Sequence, residues 1–362
     1  MNFRRSDYDV SNTVNVTDPA AVGAAVESIF LNLYQNAETA RLGILRQAMR
    51  DVERLYHGDY PGFAACDTPY HDLQHIMDVT LASARLMDGF ERSQKRGDEL
   101  GAEMFLFGIL LALFHDTGYL RKLGSEDQIQ GATFTLVHVS RGGEILKHYL
   151  PKIGMGDKAY AASRVVHFTG YEVPVERIEV PAPVYRTVGN LVATGDMLAQ
   201  MSDRCYLEKC HDRLYPEFVL GGLARSRDAS GQEHVMFSSA QDLVLKTPAF
   251  YRGAKKRMDE LLGGVYHFAE KHFGGHNLYI EEVEKNMRFA EFIIANDGDI
   301  GLLRRTPPQT PGSDHASPES VDRGQRVEER RERLQDRRQN PHGLIPPTGD
   351  RRKNPTDRRK AA

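Results

Sequence analysis

Residues Met104 to Tyr119 read MFLFGILLALFHDTGY. The run from Met104 to Phe114 is apolar throughout. It is too short for a bilayer, which takes about 20 apolar residues. It has no strand-like alternation, so it predicts a helix buried on every side. Such a helix needs other helices around it, and the flanking sequence supplies them. Thr17-Asp18-Pro19 is a helix start, with Asp18 as the cap and Pro19 in the first turn. Apolar residues at helical spacing follow it. A second helix is expected over 38–55, and further helices over 70–89, 99–116, 131–149, 157–168, 184–201, 203–215, 240–273 (broken near Pro248) and 280–296. The stretch HGDYPGFAACDTP reads as a loop. No convincing pair of alternating strands is present, and the three prolines of 171–184 mark a loop or edge. The fold class is therefore all-α.

The composition fits a soluble globular chain. Of 362 residues, 40% are apolar and 27% charged, with a net charge of −3. The charge is unevenly placed. Arg304–Ala362 holds 15 Lys+Arg against 9 Asp+Glu, a charge of +6, which leaves −9 on the rest. An acidic body is a poor match to a polyanion, so any nucleic-acid contact would come from the tail. That tail has no aromatic residue from Thr306 onward and cannot bury enough apolar area to offset chain entropy, so disorder is expected. It repeats Gln335-Asp336-Arg337-Arg338 as Gly349-Asp350-Arg351-Arg352 and Thr356-Asp357-Arg358-Arg359. The repeat reads either as a basic arm for nucleic acid, anionic lipid or a partner protein, or as a solvated extension. Cys66, Cys205 and Cys210 make no disulfide framework and no two-pair zinc site. The start, MNFRRSDYDVSNTV, has no apolar signal region. A reducing cytoplasmic setting is expected.

Three segments carry chemistry. In Tyr70–Val79 (YHDLQHIMDV), helical spacing puts Leu73, Ile76, Met77, Thr80, Ala84 and Met87 on one stripe. His71, His75 and Asp78 fall opposite, beside Val79, Ala82 and Leu86. A buried imidazole without a partner is costly, so these histidines need hydrogen bonds or a metal. His115-Asp116 directly follows the apolar run, at the C-terminal end of a buried helix. The helix dipole disfavours a carboxylate there, and a divalent cation would resolve the conflict. Asp196 lies within an otherwise apolar helix, where Gly189 and Ala193 would allow close approach of a neighbour. His211-Asp212 is a second His-Asp pair, read as surface. Arg141 and Lys147 read as solvated helix charges. His148, His234, His267, His272 and His276 lack partner spacing, and Gly274-Gly275 marks a turn.

The order His75, His115-Asp116, Asp196 resembles the HD-domain superfamily of metal-dependent phosphohydrolases. The segment around His71 and His75 resembles the Tyr-His-Asn-x-x-His-x-x-Asp-Val signature of class I cyclic nucleotide phosphodiesterases, with Asp72 in place of Asn. The resemblance covers roughly residues 65–205. It implies an HD-domain helical bundle with an N-terminal helical extension (1–64), a core (65–205), C-terminal helices packing on it (206–303) and the tail (304–362). It implies His75, His115, Asp116 and Asp196 as metal ligands and His71 as the general acid that protonates the leaving oxygen. Imidazole and carboxylate ligands suit Mn, Zn, Fe or Mg, as one ion or two. Such an ion supplies Lewis acidity and an activated water.

Two features depart from the phosphodiesterase pattern. Tyr119 stands where those enzymes carry a further His, and no Asn follows. The segment beginning at His138 resembles the HD-GYP cyclic di-GMP phosphodiesterases, and Val166-His167-Phe168 echoes their His-His segment with Phe168 replacing one His. By that route His138 and His167 could bind a second metal or the substrate phosphate. The expected function is a metal-dependent phosphohydrolase, in particular a phosphodiesterase acting on a small phosphate ester, nucleotide or cyclic nucleotide. The alternative is a catalytically inactive HD-fold signalling or partner-binding module.

Overall fold

The computed structural model describes residues 4–35, 39–227 and 230–309. The described residues are mostly helical: α1 (Pro19–Leu33), α2 (Thr39–His57), α3 (Leu73–Glu91), α4 (Gly101–Phe114), α5 (His138–Tyr149), α6 (Ala159–Val165), α7 (Pro183–Ser202), α8 (Tyr206–Lys209), α9 (Tyr215–Leu220), α10 (Ala240–Glu260), α11 (Phe268–His272) and α12 (Leu278–Ala295). Among the described residues no helix is long and apolar enough to cross a membrane. The three cysteines are free thiols. The Arg-rich repeats and the disorder expected of the tail lie in 310–362, outside the described residues.

The helix α3 sits in the middle. It is buried on almost every face, from Leu73 to Met87, and packs against α1, α4, α7 and α11. The helix α4 is apolar all round, as its sequence requires, with Met104 to Phe114 buried. Asp18 caps α1 by accepting a hydrogen bond from the Ala20 N–H, and Pro19 opens the helix. The N-terminal helices are joined to this centre, α1 against α3 and α2 against α4.

Several boundaries differ from expectation for local reasons. The helix expected over 131–149 is a 3-10 turn (Gly131–Phe134) followed by α5. The span 203–215 is α8, a π-helical turn (Cys210–Leu214) and the start of α9. Pro248 does not break α10. Proline removes the N–H that would bond the Val244 carbonyl, and the Thr247 hydroxyl donates to that carbonyl instead, at 2.7 Å. The helix stops at Glu260, ahead of Gly263 and Gly264, both left-handed with φ of 70° and 66°. A small hairpin, Arg225–Arg227 (β1) with Glu233–Val235 (β2), had no sequence signal because all its residues are exposed and none alternates. The expected tail begins later than Arg304. Leu303 is buried, the Arg305 N–H donates to Glu208, and the Pro308 carbonyl accepts from Arg213 at 2.6 Å.

One buried ion pair ties the N-terminal segment to α3. Asp9 meets Arg85 at 2.7 Å and accepts from the backbone N–H groups of Ser11, Thr13 and Val14. Arg85 also donates to the Tyr279 hydroxyl on α12. Burial acts to raise the Asp9 pKa, but the Arg85 charge and the donors outweigh it and hold it at about 2. Because the folded value lies below the unfolded one, the stabilisation is present above pH 4 and is lost as pH falls toward 2. It amounts to about 2 kcal/mol by proton linkage. Replacing Asp9 by Asn should lower stability at pH 7 by roughly 3 kcal/mol, since Arg85 is left buried without its counter-ion. Urea melts between pH 7 and 2.5 should then show a flatter acid limb than the parent protein. Parallel acid limbs would remove Asp9 from this account.

Candidate metal centre

Three helices bring their polar residues to one point. His75 lies in the first turn of α3, where Asp72 caps the helix by accepting the His75 N–H at 3.0 Å. His115 and Asp116 follow the last turn of α4. Asp196 comes from α7, which packs closely on α3. The close approach rests on Gly195, where an added Cβ would stand 2.5 Å from the Ser83 hydroxyl. Gly189, expected to serve that purpose, instead lies under the Phe168 ring.

The donor atoms converge. His75 Nε2 lies 3.3 Å from Asp116 Oδ2 and 3.4 Å from Asp196 Oδ1. His115 Nε2 lies 3.1 Å from Asp116 Oδ2 and 3.9 Å from Asp196 Oδ1. Ligands held about 2.1 Å from one ion sit about 3.0–3.4 Å apart, so the spacing suits a shared cation. The His115 Nδ1–H donates to the Ala112 carbonyl at 2.8 Å, which turns the Nε2 lone pair toward the cluster. That Nε2 is buried and, although near Asp116, is not aligned for a hydrogen bond with it. An unaligned lone pair facing carboxylates is what a coordination shell looks like from the protein side. Among the described residues, His75, His115 and Asp116 form a buried group that could hold a metal ion.

The electrostatics say the same. Burial works against a charged His75, yet its contacts with Asp116 and Asp196 push it up to about 10. His115 is also raised, its burial being outweighed by Asp116 and Asp196. Burial acts to raise Asp116, but the imidazoles of His115, His75 and His71 beside it hold it well below the usual carboxylate range. The cluster therefore demands positive charge, as protons on imidazole or as a cation.

His71 stands at the rim, and not on α3. Asp72 is the N-cap, so the helix starts after His71, and the spacing of four between the histidines is not helical spacing. His71 is placed by other contacts. Glu217 of α9, almost fully buried, accepts from His71 Nδ1 at 2.5 Å and from the Tyr70 N–H at 2.5 Å. The His71 ring stacks on Tyr119 (4.5 Å), and Tyr119 stacks on His138 (4.4 Å). His138 Nδ1–H donates to the Thr135 carbonyl, and His138 Nε2 faces Asp116 Oδ1 at 3.5 Å. Burial lowers the His138 pKa. Asp116 thus turns one oxygen to His75 and His115 and the other to His138. His167 lies apart in the turn Val166–Phe168, buried, with Nδ1 unbonded, and has no ion-pair contact with Asp116 or Asp196.

Glu217 and Tyr119 were not foreseen as site residues. Glu217 lies 146 positions from His71 and carries no motif; its one signal is a lone carboxylate beside Pro216 between apolar residues. Asp78 does not join the site. Burial and the neighbouring Asp203 push it up to about 7, against Lys209 and Arg4. His211 is buried beside Asp212, not on the surface, because the π-helical turn rotates it inward. Arg141 is not a solvated charge either. It donates to the Gly118 and Leu120 carbonyls, pairs with Glu126 and lies over the Phe134 ring. His272 has a partner after all, Asp88 at 2.7 Å. Compared with protein-family models, curated proteins and solved structures, the chain matches none.

Substituting Asp116 by Asn keeps the volume and removes the charge that faces all three imidazoles. Affinity for Mn²⁺ or Zn²⁺, read by calorimetry on the chelator-stripped protein, should fall at least about 100-fold, more than the loss typical of an outer-shell partner. Far-UV circular dichroism should be unchanged. Retained affinity would show that the ion binds elsewhere.

Proposed function

We propose that this chain is an HD-domain, metal-dependent phosphohydrolase, and specifically a phosphodiesterase acting on a nucleotide or cyclic nucleotide. The observation that carries the reading is the meeting of His75, His115, Asp116 and Asp196 from three helices, with His71 held at their rim by Glu217. His75, His115, Asp116 and Asp196 would hold the ion, and the mixed imidazole and carboxylate donors favour Mn, Zn or Fe over Mg. A bound divalent ion supplies Lewis acidity at a phosphoryl oxygen and an activated water. His138, facing the second oxygen of Asp116, is the residue of this chain best placed for a second ion or a substrate oxygen.

The residues at the rim do the proton work. Glu217 takes the Nδ1–H of His71, which leaves Nε2 as the ring nitrogen for substrate. The carboxylate holds the ring in one orientation, which keeps His71 in place to protonate a departing alkoxide. Tyr119 fixes the tilt of the ring by stacking. Glu217 and Tyr119 are positioning residues in this scheme, and His71 is the general acid. Three free thiols, two of them buried, accord with a reducing cytoplasmic setting.

The test uses leaving groups. A nitrophenolate departs without much help from an acid, whereas a ribose alkoxide needs a proton. On the full-length protein with Mn²⁺, bis-(4-nitrophenyl) phosphate and a panel of 2′,3′- and 3′,5′-cyclic nucleotides should both be hydrolysed, and chelator or Asp116→Asn should abolish both activities. His71→Gln should lose about 10²–10⁴-fold on a cyclic nucleotide and far less on the nitrophenyl ester. Glu217→Gln should lower kcat on the cyclic nucleotide more than on the nitrophenyl ester, because the His71 ring loses the carboxylate that orients it. Equal losses on both substrates would remove His71 from the acid role. Metal binding with no turnover of any ester would favour the inactive module.

A further inference from the structure

A cavity lies away from these residues. A cleft of about 540 Å³ opens between the 58–66 loop, the turn at Lys122 and the outer face of α5. None of the candidate metal residues, nor His71 or His138, lines it. Its floor is apolar. The buried rings of Phe114 and Tyr149 lie 4.4 Å apart, and Phe63 and Ile145 form the walls. Its volume falls within the range of small-molecule sites, about 300–1,000 Å³.

Its lining carries three cationic side chains, Lys122, Arg141 and Lys152, against one carboxylate, Glu144. Arg141 is turned inward to Glu126 and backbone carbonyls, so it is not available to a ligand. Glu144, the acidic residue of the lining, is paired with Lys147. Lys122 and Lys152 remain, both exposed, and neither ammonium has a carboxylate within ion-pair distance among the described residues. Two such lysines over an aromatic floor are a poor place for a neutral or cationic molecule. We propose that this cleft binds a small amphipathic anion, with an aryl or acyl body on Phe114 and Tyr149 and an anionic head at Lys122 and Lys152.

The probe is 8-anilinonaphthalene-1-sulfonate on the full-length protein in the presence of chelator, with decanoate and decanol as competitors. Saturable fluorescence should appear with Kd of roughly tens of micromolar. Decanoate should displace the probe at least tenfold better than decanol. The pair Lys122→Glu and Lys152→Glu, both at the surface, should weaken probe and decanoate at least tenfold, and Lys122→Arg with Lys152→Arg should not. Ile145→Trp should fill the cleft and abolish saturable binding with helical circular dichroism retained. Asp116→Asn should bind the probe as the parent does, which separates this site from the metal centre. Unchanged binding in the Glu pair, equal competition by decanol, or no saturable signal from the parent would each overturn the proposal.

Discussion

A buried carboxylate, Asp116, and a half-buried one, Asp196, face two buried imidazoles, and among the described residues no Lys or Arg is paired with them. Uncompensated carboxylates at that depth are expensive. The arrangement survives only with positive charge at its centre, where α3 begins, α4 ends and α7 passes to supply its walls. The apolar surroundings follow from the same constraint. The helix α4 delivers His115 and Asp116 into a low-dielectric interior, where a cation or a proton is held far more strongly than at the surface.

Glycine makes the geometry possible. At Gly118, an added Cβ would fall 1.8 Å from the His138 carbonyl, so α5 lies directly on the turn that follows His115-Asp116. Gly142 meets the His115 carbonyl from the other side, at 2.9 Å from where its Cβ would be. Gly195 performs the matching service between α7 and α3. These three positions set how near the ligand-bearing backbones stand, and so whether donor atoms on separate helices meet within one coordination radius. A second tier of contacts steadies the rim. Asp72 caps α3, pairs with Arg213 at 3.5 Å, and Arg213 in turn holds the Pro308 carbonyl.

The helices were legible because they are apolar at helical spacing, and α4 was the plainest of them. The candidate ligands were legible as polar interruptions of apolar helices, which is why Asp196 could be singled out within α7 without knowing its neighbours. What could not be read was anything that depends on a distant partner. Glu217 orients His71 from α9, and Arg141 is drawn inward by carbonyls of the turn below it. Burial of His211 follows from one π-helical turn, a hydrogen-bond shift that residue type does not announce. Continuity of α10 through Pro248 came from a neighbouring hydroxyl, a compensation that propensity does not count. The hairpin of β1 and β2 was missed because its strands bury nothing.

Contacts so far apart along the chain also set an order in time. A chain leaving the ribosome from its N-terminus presents His75, His115 and Asp116 long before Asp196, and the Glu217 that holds His71 emerges later still. Arg85 waits for Tyr279 in the same way. Domains dominated by distant contacts close slowly, and intermediates of larger chains leave apolar surface uncovered. Between residues 116 and 196 of its synthesis this protein therefore carries His75, His115, Asp116 and an eleven-residue apolar run with α7 not yet made. If the cluster takes a metal, an ion captured at that stage would be held by an incomplete shell and would be free to exchange until α7 had docked.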